Sequence, residues 1–259
     1  VACDIATDEG RRKVLDLLPQ PDILVNNCGG PPPGAWADWQ KVDFLKAVEA
    51  NMLSPILLIQ QVLPWMIEKG WGRIVNITSG AVKAPIPALG LSNTARAGLT
   101  GFVAGVSRQV ASKGVCINNL LPGIHDTDRI KGFDEKMSLD QGISIAEVRD
   151  KKSSAIPVGR YGTADEFGKI CAFLCSQHAG FIVGQNIVIE GRLKMNSVTR
   201  KDGTKEKQPE LTASKIHQIS PVEVINSDQK ENNESFENKE TTKKSSWDSS
   251  PLVPEVDEI

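Results

Sequence analysis

Apolar residues fall along this chain in two ways: short continuous runs, and longer stretches at helical spacing. The clearest run is Arg73-Ile-Val-Asn-Ile-Thr78, β-branched, of strand length and bounded by Gly72 and Gly80. An unbroken apolar run implies a strand covered on both faces, as in a parallel α/β sheet. Ile23-Leu-Val25, Gly114–Leu121 and Phe181–Ile189 read as further strands, Ile23–Val25 as a short buried one, and residues 1–6 as a short strand ending at Asp4. Between the runs, Thr7 and Asp8 open a helix that continues to Leu18 and is stopped by Pro19 and Pro21. An amphipathic stretch with Trp36, Trp39, Val42 and Phe44 leads into a long helix from about Leu45 to Lys69, with bends expected at Pro55 and Pro64. Ser92 and Asn93 start a helix with Ala95, Leu99 and Phe102 on one side, running to about residue 112. Residues 128–160 read as polar and irregular. Thr163-Ala-Asp-Glu166 is a capping box that opens a helix to about Ser176.

This alternation predicts an α/β fold. Ser79 falls where a strand gives way to a loop, the usual place for reactive groups in open α/β sheets. Arg96 follows Ser92 by one helical turn, so both side chains share a face. A strand-end hydroxyl thus faces a polar pair on the next helix.

These residues resemble the catalytic region of the short-chain dehydrogenase/reductase family, especially its 3-oxoacyl-(acyl carrier protein) reductase-like members. That family has a strand-end Ser followed by Tyr-x-x-x-Lys on the next helix. Ser79 matches the serine, and position 92 lies 13 residues on (92 − 79), at the usual gap to the tyrosine. Here the tyrosine position is Ser92 and the lysine position is Arg96. Asn51, in Ala50-Asn-Met-Leu-Ser-Pro55, sits at the position of the family's catalytic asparagine, and otherwise reads as a polar residue on a helix surface. Asn26-Asn-Cys-Gly-Gly30 resembles the Asn-Asn-Ala-Gly motif, in which side chains hold the sheet together and the backbone approaches the cofactor. That likeness makes Asn26, Cys28 and Gly29 cofactor-site candidates. Asp4 matches the acidic residue that contacts adenine, Pro122-Gly123 the turn that closes over nicotinamide, and Thr127 the residue that touches carboxamide or phosphates. Asp4 is also readable as a neighbour of a helix cap, and Thr127 as a cap itself.

The resemblance implies an NAD(P)-dependent oxidoreductase that moves hydride to or from a carbonyl or alcohol of a small molecule and assembles as a homo-oligomer, dimer or tetramer. The alternatives are a non-catalytic binding or oligomerisation domain of the same fold, and a truncated inactive product. In the family, Tyr exchanges the proton, Lys lowers its pKa and holds the ribose, Ser fixes the carbonyl and Asn keeps a water chain. The catalytic set carried over is therefore Asn51, Ser79, Ser92 and Arg96, with Arg96 also a cofactor contact. A serine hydroxyl is shorter and far less acidic than a phenol, and an arginine does not give up its proton. Tyr161, the only tyrosine, replaces the missing acid only if the segment before it folds inward. His125 and Asp126 suggest a general base, although sequence neighbours rarely point the same way.

No Gly-x-x-x-Gly-x-Gly phosphate loop occurs in the sequence, whose first strand corresponds to the family's third. The expectation is a Rossmann-like doubly wound parallel sheet lacking its first two strands over residues 1–191, and an incomplete gene product is the simplest explanation. Residues 192–259 are rich in Lys, Glu, Ser, Asn and Thr with charges of alternating sign, which reads as a disordered tail. Ser220–Asn226 within it reads as a strand or docking peptide. A net charge of −2 gives no electrostatic case for nucleic acid or membrane binding. No apolar run approaches the roughly 20 residues that cross a bilayer. Five scattered cysteines argue for a reducing, cytoplasmic setting without a disulfide framework. Cys171 and Cys175, four apart on a helix, read as half a metal site or as small buried residues.

Overall fold

In the computed structural model, residues 1–190, 195–199 and 205–209 are described. Four parallel strands form one sheet in the order β1 (Ile23–Asn26), β2 (Gly72–Ile77), β3 (Val115–Pro122) and β4 (Asn186–Ile189). Helices α3 (Ser54–Lys69) and α4 (Gly90–Val110) cover one face, where Ile59, Val62 and Met66 meet Ile74, Leu99, Val103 and Ile117. Helix α7 (Ala164–Leu174) covers the other, where Leu174 packs with Val75 and Leu120. Residues 74 and 75 thus face opposite layers, which is why the β2 run is apolar without alternation.

Two expectations about the first strands are corrected. Residues 1–6 form no strand: the Asp4 carbonyl accepts from the Thr7 N–H (3.2 Å) and hydroxyl (2.8 Å), turning the chain into α1 (Asp8–Leu17). A strand needs a neighbour for its backbone groups, and this segment has none beside it among the described residues. Strand β1 forms, but pairs only with β2. Ile23 and Val25 are accordingly 45% and 42% exposed rather than buried.

The long helix begins earlier than expected, as α2 (Lys41–Val48), and passes into α3 through a π-helical turn at Glu49–Leu53. The irregularity has a local cause. Pro55 has no N–H to offer the Asn51 carbonyl four residues before it, and the Ser54 N–H and hydroxyl (2.8 Å) both turn to the Glu49 carbonyl. Asn51 sits inside that widened turn.

Residues 128–160 are not irregular: they hold α5 (Asp128–Gln141) and α6 (Ile145–Ser154). Both helices are polar, so no apolar stripe announced them. Their starts were legible instead, in the Thr127 cap and the Ser144/Glu147 capping box. Beneath α5, the fully buried Asp134 carboxylate accepts from Lys152 (2.6 Å) and Arg149 (3.4 Å).

Within the stretch read as a tail, β5 (Met195–Thr199) and β6 (Lys205–Pro209) pair antiparallel. Ser220–Asn226 lies outside the described residues. No described helix is long and apolar enough to cross a membrane.

Candidate active site

Each strand of the sheet contributes one asparagine to a row in register: Asn26 beside Asn76, Asn76 beside Asn119, Asn119 beside Asn186. Their side-chain amides form a continuous ladder with bonds of 2.8, 3.1 and 2.9 Å. Three of the rungs are almost fully buried. Asn26 is thus held as its motif suggested, whereas Asn76, Asn119 and Asn186 were not singled out from the sequence. The signal was an asparagine within or at the edge of each otherwise apolar strand run.

Just beyond the ladder, the strand ends and α4 enclose a cleft of about 260 Å³ lined by Cys28, Gly29, Thr78, Ser79, Ser92, Arg96, Pro122 and Arg129. Six of the sequence candidates therefore meet in one place. Arg96 organises it. Its Nε donates to the Ser92 hydroxyl (3.2 Å), and its two terminal nitrogens donate to the carbonyls of Ile77 (2.9 Å) and Cys28 (3.0 Å). The helix, β2 and the Asn-Asn-Cys-Gly loop are locked together through this one side chain. Burial, with Arg129 as a smaller cause, brings its pKa down to about 10 against the opposing pull of Cys28, so it stays charged at neutral pH. Burial likewise pushes the Cys28 thiol up. The Ser79 hydroxyl accepts from the Ala81 N–H (3.1 Å), fixing it at the mouth of the loop after β2.

Other candidates lie around the cleft without lining it. Asn51 donates to the Gly29 carbonyl (3.1 Å) from behind the loop, and its buried Oδ1 has no partner. Gly123 donates to the Ile189 carbonyl (2.8 Å), and a Cβ there would stand 2.5 Å from that of Glu190, so close approach demands glycine. Thr127 caps α5 and is exposed. Asp4 accepts from the Ala6 N–H (2.9 Å). His125 and Asp126 diverge: the ring stacks edge-on against Phe167, while the carboxylate pairs with Arg149 at 3.1 Å. Cys171 and Cys175 are half-buried against the Leu174 cluster, and no group of three or more His, Cys, Asp or Glu residues suited to a metal occurs among the described residues. Thr78 and Arg129 are lining residues that the sequence reading missed; the only hint for Arg129 was its place as the first arginine or lysine after the Pro122-Gly123 turn.

Tyr161 does not stand in for the missing phenol. It is 6% exposed and donates to Asp134 (3.3 and 3.4 Å), with the Arg149 guanidinium 4.5 Å from its ring centre. Burial, reinforced by Asp134, pushes its pKa up to about 12, away from where an acid at neutral pH is useful. Because the chain has one tyrosine, absorbance at 295 nm reports this group alone. We expect a midpoint near 12 in the folded chain and about 10 in denaturant. The folded state holds the proton more tightly, so stability falls as pH rises from about 10 to about 12. A folded-state midpoint near 10 contradicts the burial.

The family described as enoyl-(acyl carrier protein) reductase matches residues 1–192. The chain is 34% identical over 185 residues to the acetoacetyl-CoA reductase of Cupriavidus necator, covering 71% of this chain and 70% of that protein. It is 32% identical over 181 residues to a 3-oxoacyl-(acyl-carrier-protein) reductase of Aquifex aeolicus, covering 69% and 68%. Among solved structures it is similar to YwfH, an NADPH-dependent reductase involved in bacilysin biosynthesis, with a TM-score of 0.69, 27% identity and coverage of 74% and 75%. It is also similar to an actinorhodin polyketide ketoreductase solved with NADPH, with a TM-score of 0.67, 28% identity and coverage of 73% and 75%.

Proposed function

Because the chain belongs to the short-chain dehydrogenase/reductase family, a family of oxidoreductases, we propose that it binds NAD(P) at the strand-end cleft and reduces a 3-oxo substrate there, or oxidises the matching alcohol, with a weakened proton-transfer step. The observation that carries this reading is the Ser79–Ser92–Arg96 arrangement around one cleft beside the Gly29 backbone. The residues suit the nicotinamide end of the cofactor. Arg96 has five N–H groups and uses three, leaving two for ribose hydroxyls. Gly29 leaves open space where a side chain would stand.

A bound nicotinamide dinucleotide supplies or accepts the hydride. The Ser79 hydroxyl donates to the substrate oxygen and holds the carbonyl carbon toward it. The fixed charge of Arg96 favours the negative charge that grows on that oxygen. Ser92 relays a proton from water rather than giving up its own. Loss of a tuned acid–base forfeits about 100- to 10,000-fold in rate, so we assign this chain slow turnover. Exposed Ile170, Phe173 and Phe181, at 36%, 45% and 103%, support an assembly of copies through the α7 face, as a dimer or tetramer. The scattered free cysteines support a reducing, cytoplasmic setting.

Titration with NADPH and with NADH, followed by nicotinamide fluorescence and melting temperature, tests the reading. At least one of them raises the melting temperature by mass action, and Arg96→Ala abolishes that rise. A folded chain that shifts with neither overturns the proposal.

A further inference from the structure

The cleft contains two arginines and no acid. Arg96 is 7% exposed, and Arg129 stands at the rim, where its guanidinium leans on the carbonyls of Gly30 (3.2 Å) and Pro31 (3.5 Å) and lies 5.3 Å from the ring centre of Phe133. Among the described residues, neither has a carboxylate within ion-pair distance. Of the acids nearby, Asp126 pairs with Arg149 and Asp128 with Lys131, while Asp4 and Glu190 approach from outside and do not line the cleft. Thr78 lines the same cleft, is 4% exposed, and its buried hydroxyl has no partner. Two arginines without an ion-pair partner and an unpaired buried hydroxyl around about 260 Å³ describe an anion site.

We propose that the substrate enters this cleft as a free acid, a compact 3-oxo acid whose carboxylate sits between Arg96 and Arg129, rather than as a thioester. This rests on the reading of the cleft as the reducing site and names its substrate class. The planar guanidinium of Arg129, with three N–H groups free, matches a carboxylate with two parallel hydrogen bonds, and Arg96, whose free N–H groups serve the ribose, adds its charge. Serine in place of tyrosine leaves the room for it beside Arg96. The Thr78 hydroxyl supplies a further donor, and Ser79 remains for the oxo group. A thioester carries no charge at the corresponding carbon and leaves both arginines unpaired.

Calorimetry on the full chain without nicotinamide separates this inference from the redox reading. The probes are acetoacetate, its neutral isostere acetylacetone, and inorganic phosphate. Acetoacetate is expected to bind at least tenfold more tightly than either of the others. Arg129→Gln, a change at an exposed position, weakens it about tenfold or more, as loss of a hydrogen bond to a charged group does. Equal binding of acetylacetone, or no binding of acetoacetate by the folded chain, overturns the proposal. Phosphate binding more tightly than acetoacetate overturns it too, and assigns the arginines to a cofactor phosphate. NADPH binding, measured separately, stands or falls independently of all these results.

Discussion

Replacing Ser92 by tyrosine and Arg96 by lysine together is expected to raise the rate of NADPH-dependent reduction of acetoacetyl-CoA or acetoacetate by about 100- to 10,000-fold. The gain comes from chemistry that the scaffold lacks. A phenol has a pKa of about 10 and can be drawn toward neutrality by an adjacent cation. A serine hydroxyl cannot, and Arg96 keeps its proton even though burial holds its pKa near 10. Position 92 borders the cleft, so the new ring has space to enter it. The effect belongs in kcat, because proton transfer occurs in the transition state and not in binding. Ser92→Phe with Arg96→Lys controls for shape: it fills the same space without a proton and gives no acceleration. Equal rates for the phenol and phenyl variants contradict the assignment of position 92 as the missing acid.

Asn76→Leu is expected to cost about 2 to 6 kcal/mol of stability. Asn76 is fully buried between two partners, donating to Asn119 and accepting from Asn26. Leucine removes both bonds and strands one donor and one acceptor in the sheet interior. Each orphaned group costs about 1 to 3 kcal/mol. For a domain of this size that lowers the melting temperature by roughly 5 to 20 °C. Asn186→Leu, at the half-buried end of the ladder, breaks one bond and has a smaller effect. Equal melting temperatures for Asn76→Leu and the parent show that the ladder does not hold the sheet.

The two halves of the molecule were unequally legible in the sequence. Strand β2 and the hydroxyl after it stood out because burial on both faces leaves an unbroken apolar run. The cap of α7 stood out because Thr163 and Glu166 answer each other's backbone groups. What failed depended on neighbours. The residues before Thr7 have strand composition, yet among the described residues no strand lies beside them to pair with. Ile23 and Val25 look like core residues, yet their strand has a partner on one side only. Helices α5 and α6 escaped notice because a polar helix held by ion pairs to a single buried Asp134 has no periodic apolar stripe. In the site, the spacing from Ser79 to Ser92 and Arg96 was readable, but Arg129 was not. From the first turn of α5 it reaches the rim through two carbonyl contacts, to Gly30 and Pro31, about a hundred positions away in sequence. The asparagine ladder required strand register, which local pattern does not encode.

Isotope transfer tests the central claim most directly. The full chain is incubated with NADPH carrying deuterium at both C4 positions and, in separate reactions, acetoacetate or acetoacetyl-CoA, and the 3-hydroxy product is weighed by mass spectrometry. A slow reductase delivers one deuterium to the carbon that bore the oxo group, in the parent chain over hours and in the Ser92→Tyr/Arg96→Lys variant much faster. A chain that binds NADPH but delivers no deuterium, in the parent and in the restored variant alike, is a binding domain and not a reductase.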